Sequence, residues 1–223
     1  MVFFGIIQNM VISYHGLGCF KVQLGDVVIA FNPISKDSDF KSTRFSSDIA
    51  IVSLNDKNYN GVSNVSGGSR ELFVIDGPGE YEAGGVYVKG VSVEQTIGGE
   101  KKINTIYAVL LDDINLCHLG ALNTLDIKPE VKEELGTIDI LFVPITGGDL
   151  LSASAASKLV NLLEPKLIIP MQNDINGVSK TALLSFLKES GVGDEMSPVD
   201  KLTVKMKDLE GKEGDVVVLT PVV

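Results

Sequence analysis

Residues 48–61 of the chain read DIAIVSLNDKNYNG. The apolar run from Ile49 to Val52 is short and uninterrupted, which is typical of a strand that is buried on both faces. The residues from Leu54 to Gly61 are mostly polar and predict a loop at the end of that strand. Loops held by a rigid scaffold commonly carry functional side chains, so this loop is the first candidate for a functional site.

The sequence around this loop predicts a first half rich in β-strands and a second half in which helices and strands alternate. Apolar and polar residues alternate from Met10 to Asn32 between glycines, which predicts two or three antiparallel strands joined by tight turns. After Pro129 the pattern changes to helices and strands in alternation, including a helix over 152–163. No linker-like segment interrupts the 223 residues, so we expect a single domain over 1–223 built from two β-then-α halves. Further strands are predicted at 72–75, 85–93, 103–111, 114–118 and 138–143.

Charge and cysteine content narrow the classes of partner. The formal net charge of −10 opposes binding to nucleic acid, because that affinity depends on Lys and Arg displacing counterions. Two cysteines, Cys19 and Cys117, make no disulfide framework, which favours a reducing cytoplasm. The apolar start Met1–Ile7 has neither the flanks of a secretory signal nor the length of a membrane span. We therefore expect a cytoplasmic protein with no nucleic-acid partner and no membrane association.

Several phrases of the chain resemble the metallo-β-lactamase superfamily, in particular its short Zn-dependent hydrolase-like members grouped with the ascorbate-6-phosphate lactonases. The likeness begins near Met10; residues 1–9 are either an extra strand or a start-site artefact. It implies a four-layer αββα sandwich, an α/β fold with mixed, mainly antiparallel sheets. The phrases that carry it are 14–20 (YHGLGCF), Asn32-Pro33, 76–82 (DGPGEYE), 118–122 (HLGAL), 144–148 (PITGG) and 167–172 (LIIPMQ).

The resemblance also implies where metal ligands would lie. The family carries His-x-His-x-Asp-His in the loop after the buried strand, and here Leu54, Asp56, Asn58 and Tyr59 stand at those positions. Ala121 and Gln172 stand at a metal-bridging aspartate and at a final histidine, while Leu17 and Asn32 replace a histidine and an aspartate of the opening strands. The chain has only two histidines, His15 and His118, whereas zinc sites that activate water usually need several imidazole ligands.

These substitutions lead to two hypotheses about function. The first is a catalytically silent homologue that keeps its pocket as a binding or assembly surface, with no cofactor and no zinc expected. The second is a divergent hydrolase of phosphodiesters, lactones or other esters that uses no metal or one weakly held Mg²⁺ or Ca²⁺. The remnant pocket comprises Asp56, Asn58, Tyr59, His118 and Gln172, with Asp56 or His118 as the base of an active enzyme. A homo-oligomer is a further expectation.

Three other groups of residues have simpler structural interpretations. His118 either lines the pocket or is a hydrogen-bonded histidine at a strand end, and His15 is expected to be structural. Glu80 and Glu82 fall on one face of a strand by spacing alone, so a rim role is favoured over acid–base chemistry. The glycines of 77–79 and 147–148 are expected to shape turns.

Overall fold

The computed structural model describes residues 8–68, 71–171, 178–192 and 196–222. Residues 1–7, which belong to the segment 1–9 interpreted as an extra strand or a start-site artefact, lie outside the described residues. The described residues contain thirteen strands and three α-helices: β1 Met10–Tyr14, β2 Phe20–Leu24, β3 Val27–Phe31, β4 Ile49–Ile51, β5 Phe73–Ile75, β6 Gly79–Ala83, β7 Val86–Ile97, β8 Glu100–Leu111, β9 Ile114–His118, α1 Pro129–Leu135, β10 Ile140–Pro144, α2 Ala153–Leu163, β11 Leu167–Met171, α3 Val178–Glu189, β12 Leu202–Val204 and β13 Asp215–Val216.

The strands form two mixed sheets. Sheet A has the order β12-β1-β2-β3-β4-β5, and sheet B has the order β13-β11-β10-β9-β8-β7-β6. Sheet A is antiparallel from β12 to β3 and parallel from β3 to β5. Sheet B is antiparallel from β6 to β9 and parallel from β9 to β13.

The sheets pack face to face through a single large core. Phe20 and Phe31 of sheet A contact Phe142 of sheet B, with ring centroids 4.6 and 5.8 Å apart. Helix α2 packs against β10 and against α3, so the helices lie along sheet B. On the other side, Val62 and Val65 of a 3-10 turn pack against the alanines of β3 and β4. The predicted αββα sandwich is confirmed.

Local signals explain the best-defined elements. Ser152 caps α2, because its hydroxyl accepts a hydrogen bond from the amide of Ala155 at 3.2 Å. Asp112 and Asp113 both adopt positive φ, 51° and 61°, in the tight turn between β8 and β9. The parallel strands β10 and β11 are buried at every position, as expected for strands between two layers.

Candidate functional site

The loop that follows β4 forms a compact set of turns. The amide of Tyr59 donates to the Asp56 carbonyl at 2.9 Å, and the amide of Asn58 donates to the Asp56 carboxylate at 3.0 Å. Gly61 closes the loop by donating its amide to the carbonyl of Pro33 at 2.6 Å. These bonds fix the backbone that presents Leu54 and Tyr59 to the interior.

Leu54, Tyr59 and Ala121 pack together as one hydrophobic cluster, called here the site cluster. Their exposed fractions are 3%, 7% and 1%. Ile97, at the end of β7, and Leu150, in the loop before α2, are partly buried and pack against the same cluster. Carbon atoms from four separate segments of the chain therefore meet at this place.

The polar side chains of the loop have partners outside the site cluster. The carboxylate of Asp56 lies 3.8 Å from the Nζ of Lys102 on β8. The side-chain carbonyl of Asn58 accepts a hydrogen bond of 2.7 Å from the hydroxyl of Ser38. Asp56 keeps 29% of its side chain exposed, so it is the carboxylate of this loop that solvent can reach.

His118 is buried at the end of β9 with both ring nitrogens hydrogen-bonded. The amide of Gly120 donates to Nδ1 at 3.0 Å, so Nδ1 carries no proton. Nε2 therefore carries the proton and donates to the carbonyl of Gly18 at 3.0 Å. The ring stacks on Phe31 at 5.1 Å, and burial lowers the pKa of His118 to about 4, so it is neutral at pH 7.

Two buried amide side chains fix the segment around Ala121. Asn104 donates to the carbonyl of Leu119 at 3.0 Å and accepts from the amide of Ala121 at 2.8 Å. Gln95 donates to the carbonyl of Ala121 at 2.6 Å and accepts from the amide of Asn123 at 3.1 Å. Sequence reasoning missed both residues. The available signal was a polar amide at an inward position of each strand of the long β7–β8 hairpin.

Asn32 and Ser53 lie beside the site cluster at the ends of β3 and β4. Asn32 is buried at a φ of +42°, and its side-chain oxygen accepts the amide of Ser53 at 2.8 Å. The Nδ2 of Asn32 and the hydroxyl of Ser53 are buried and have no hydrogen-bond partner in the described structure. Tyr59 and His118 approach the same space, since a Cβ at Gly18 would lie 3.2 to 3.6 Å from Asn32, Tyr59 and His118.

The remaining candidates lie elsewhere. Leu17 is buried in a small cluster with Cys19 and Ile34. The Nδ1 of His15 bonds the hydroxyl of Thr43 at 2.8 Å, and burial followed by the charge of Lys21 lowers the pKa of His15 to about 4. Both glutamates of β6, at 80 and 82, are exposed on one face of that edge strand. Gln172 lies outside the described residues.

The described residues do not fit a metal ion. No group of three or more His, Cys, Asp or Glu gathers in a metal-binding arrangement within residues 8–68, 71–171, 178–192 and 196–222. Zinc takes nitrogen, sulfur or carboxylate donors, and the site cluster offers aliphatic carbons and one phenol. His118 has no nitrogen lone pair left for coordination, because Nδ1 already accepts the Gly120 amide.

Two mixed sheets pack face to face, helices cover sheet B, and a loop follows the buried strand β4. This arrangement defines a metallo-β-lactamase-type domain. The chain belongs to the Beta-lactamase superfamily domain family, whose sequence model matches residues 11–172. Among the described residues, no helix is both long and apolar enough to cross a bilayer.

The chain is also similar to individual proteins. A candidate Zn-dependent hydrolase of the metallo-β-lactamase superfamily from Thermotoga maritima is 26% identical, with a TM-score of 0.73 over 95% of this chain and 100% of that one. A candidate metal-dependent hydrolase from Parabacteroides distasonis is 17% identical, with a TM-score of 0.65 over 96% and 94% of the chains, and it supports the fold alone. A UPF0173 metal-dependent hydrolase from Pyrococcus horikoshii is 34% identical over 65 residues, a match that spans 29% of each chain.

Proposed function

We propose that this chain is a metallo-β-lactamase homologue that has replaced most of the family's metal ligands and acts as a binding or assembly protein rather than as a hydrolase. The observation that carries the proposal is the site cluster, in which Leu54, Tyr59 and Ala121 pack together as hydrophobic side chains. By the resemblance to the family, these three residues correspond to metal-ligand positions. A metal centre at the site cluster would need nitrogen, oxygen or sulfur ligands at positions that are occupied by apolar side chains.

The state of His118 supports the same conclusion. A general base must have a free lone pair within reach of a proton, and a metal ligand must direct a lone pair at the ion. In His118 the lone pair of Nδ1 accepts the Gly120 amide and the proton of Nε2 is donated to Gly18. The histidine thus joins backbone segments of the two sheets and is not arranged for chemistry.

Metal analysis combined with turnover tests this proposal. Protein purified without chelators should contain well below one equivalent of transition metal by mass spectrometry. It should show no hydrolysis of phosphodiester, lactone or ester substrates when Zn²⁺, Mn²⁺ or Mg²⁺ is added. One tightly held equivalent of zinc, together with turnover that chelation abolishes, would contradict the proposal.

The second hypothesis is a divergent hydrolase that uses one hard cation or none. It is favoured by the relatives that are called metal-dependent hydrolases and by the solvent-reachable carboxylate of Asp56. Asp56→Asn should then abolish any measured turnover. Asp39→Asn is the matched control, because Asp39 is an exposed carboxylate paired with Lys57 at 2.7 Å. Equal activity in both variants would exclude Asp56 as the base or cation ligand.

Assembly and location complete the proposal. We infer a homo-oligomeric protein in a reducing compartment, without nucleic-acid partners. The free, buried thiols of Cys19 and Cys117 support a reducing compartment. The net charge of −10 supports the lack of nucleic-acid partners. Light scattering over a range of protein concentrations tests the homo-oligomer, since a mass of one chain at every concentration would contradict it.

A further inference from the structure

A second concave site lies away from the site cluster, between the segment before β4 and the 3-10 turn at Val62–Asn64. It is a cavity of about 470 Å³, within the range of about 300–1,000 Å³ that is typical of small-molecule sites. No residue of the site cluster lines it. The polar lining consists of Lys36, Arg44, Ser46, Ser63, Asn64 and Ser66.

The lining has the opposite charge to the protein as a whole. The chain carries 29 acidic and 19 basic residues, yet this cavity is lined by one lysine, one arginine and no carboxylate. The basic side chains of the described ion pairs are Lys57, Lys89, Lys102, Lys166 and Lys212, so Lys36 and Arg44 form no ion pair with a described residue. An acidic chain thus presents to one cavity two cations that have no ion-pair partner among the described residues, together with several hydroxyl groups.

The walls of the cavity are tied together by hydrogen bonds. The side-chain amide of Asn64 is buried and donates to the carbonyl of Ile34 at 2.7 Å, while the amide of Phe45 donates to the Asn64 carbonyl at 3.3 Å. Phe45 is held in turn by His15, with ring centroids 4.7 Å apart. These hydrogen bonds connect the three chain segments, near Ile34, Phe45 and Asn64, from which the lining residues of the cavity extend.

We propose that this cavity binds a small molecule through an oxyanion group, either a phosphate or a carboxylate. Arginine offers a planar fork of N–H donors that matches both groups, and lysine adds a compact positive charge. The hydroxyls of Ser46 and Ser63 are exposed at the same cavity and supply neutral donors. Two cations within a chain of net charge −10 select a small anion over a polyanion such as nucleic acid.

Isothermal titration at low ionic strength with inorganic phosphate and, separately, with citrate tests this proposal and distinguishes the two groups. Saturable binding of either anion with one-site stoichiometry is expected, and the stronger ligand identifies the group. Lys36→Ala and Arg44→Ala should each weaken binding about tenfold, which corresponds to about 1.4 kcal/mol. Lys101→Ala removes the same charge from an exposed position on β8 and should change affinity less than twofold.

The contrary results are equally specific. Absence of saturable binding by either anion, or equal weakening in all three variants, would overturn the proposal, since it would show only a general response to net charge. Lys36 and Arg44 are exposed, so these variants are expected to fold, and unchanged circular dichroism spectra check this point. The outcome does not depend on the proposed loss of catalysis, because the variants leave the site cluster intact.

Discussion

The Nε2 of His118 lies 3.0 Å from the carbonyl oxygen of Gly18, a residue 100 positions earlier in the chain. The hydrogen bond joins the end of β9 in sheet B to the turn between β1 and β2 in sheet A. Since Nδ1 accepts the Gly120 amide, the ring satisfies one buried donor and one buried acceptor, and it can do so only when neutral. The neutral imidazole therefore contributes to the contact between the two sheets.

The stability of the folded protein should depend on pH through His118. The pKa of His118 is lowered to about 4 in the folded protein, while an unfolded histidine has a pKa of about 6.5. As the pH falls from about 6.5 to about 4, the unfolded chain binds a proton that folded His118 does not. The free energy of unfolding should then decrease by up to about 1.4 kcal/mol per pH unit from this group, with no contribution above pH 7.

Urea unfolding at several pH values, on the parent protein and His118→Gln, isolates this contribution. The variant should be less stable at neutral pH and should lose less stability on acidification. His15 titrates in the same direction and remains in both proteins, so it cancels in the comparison. Parallel pH profiles for the two proteins would show that His118 is not buried in its neutral form.

The second prediction concerns packing at the site cluster. Leu54→Ala removes a side chain that is 3% exposed and should lower the free energy of unfolding by about 2–5 kcal/mol, because a buried cavity is left behind. The matched control is Leu162→Ala on α2, where the side chain is 48% exposed and the change should be within about 0.5 kcal/mol. Similar losses at both positions in denaturant unfolding would contradict the packed cluster.

The third prediction concerns a close backbone approach in the loop. A Cβ at Gly61 would lie 2.2 Å from the carbonyl carbon of Ile34, a clash with backbone rather than with a flexible side chain. Gly61→Ala should therefore cost at least about 1–3 kcal/mol, measured by thermal or denaturant unfolding. Gly77→Ala is the control, since a Cβ there meets nothing within 4 Å. A stable Gly61→Ala protein would mean that the loop packs differently.

The fourth prediction concerns the thiols. Burial raises the pKa of Cys19 to about 12 and also raises the pKa of Cys117, so both remain protonated near pH 8. The native protein should react with an aromatic disulfide reagent only as fast as it unfolds, and both thiols should react at once in denaturant. Rapid reaction of either thiol in the native state would show that it is exposed.

Much of the fold could be predicted because its signals are local. The alternation of β1 to β3 and the periodicity of the helix predicted over 152–163 each depend on residues within a few positions of one another. The extent of the β7–β8 hairpin was underestimated, because residues 94–102 are largely polar and become strand through pairing such as Gln95 with Lys102. Strand β12 ends at Val204, where the amide of Lys205 donates to the carboxylate of Asp208 and a 3-10 turn begins.

The candidate site was predictable only in part. The resemblance to the family put Leu54, Tyr59 and Ala121 at three of the family's metal-ligand positions, and these three side chains pack in one hydrophobic cluster. An inward-facing amide marks Gln95 and Asn104 on their strands, but their partners lie 26 and 17 positions away, so no local pattern identifies what they bind. The same holds for Ile97 and Leu150, which reach the site cluster from a hairpin end and a distant loop.

The pairing of β1 with β12 has a consequence for biosynthesis. Met10 lies opposite Val204, so one strand of this pair emerges from the ribosome long before the other. Until β12 is synthesised, β1 is an edge strand of the nascent sheet A and exposes unpaired backbone N–H and C=O groups. Such an edge can pair with other chains and lead to aggregation. Sheet A is thus completed late in synthesis. Chaperones that protect the β1 edge during translation should therefore increase the yield of native protein.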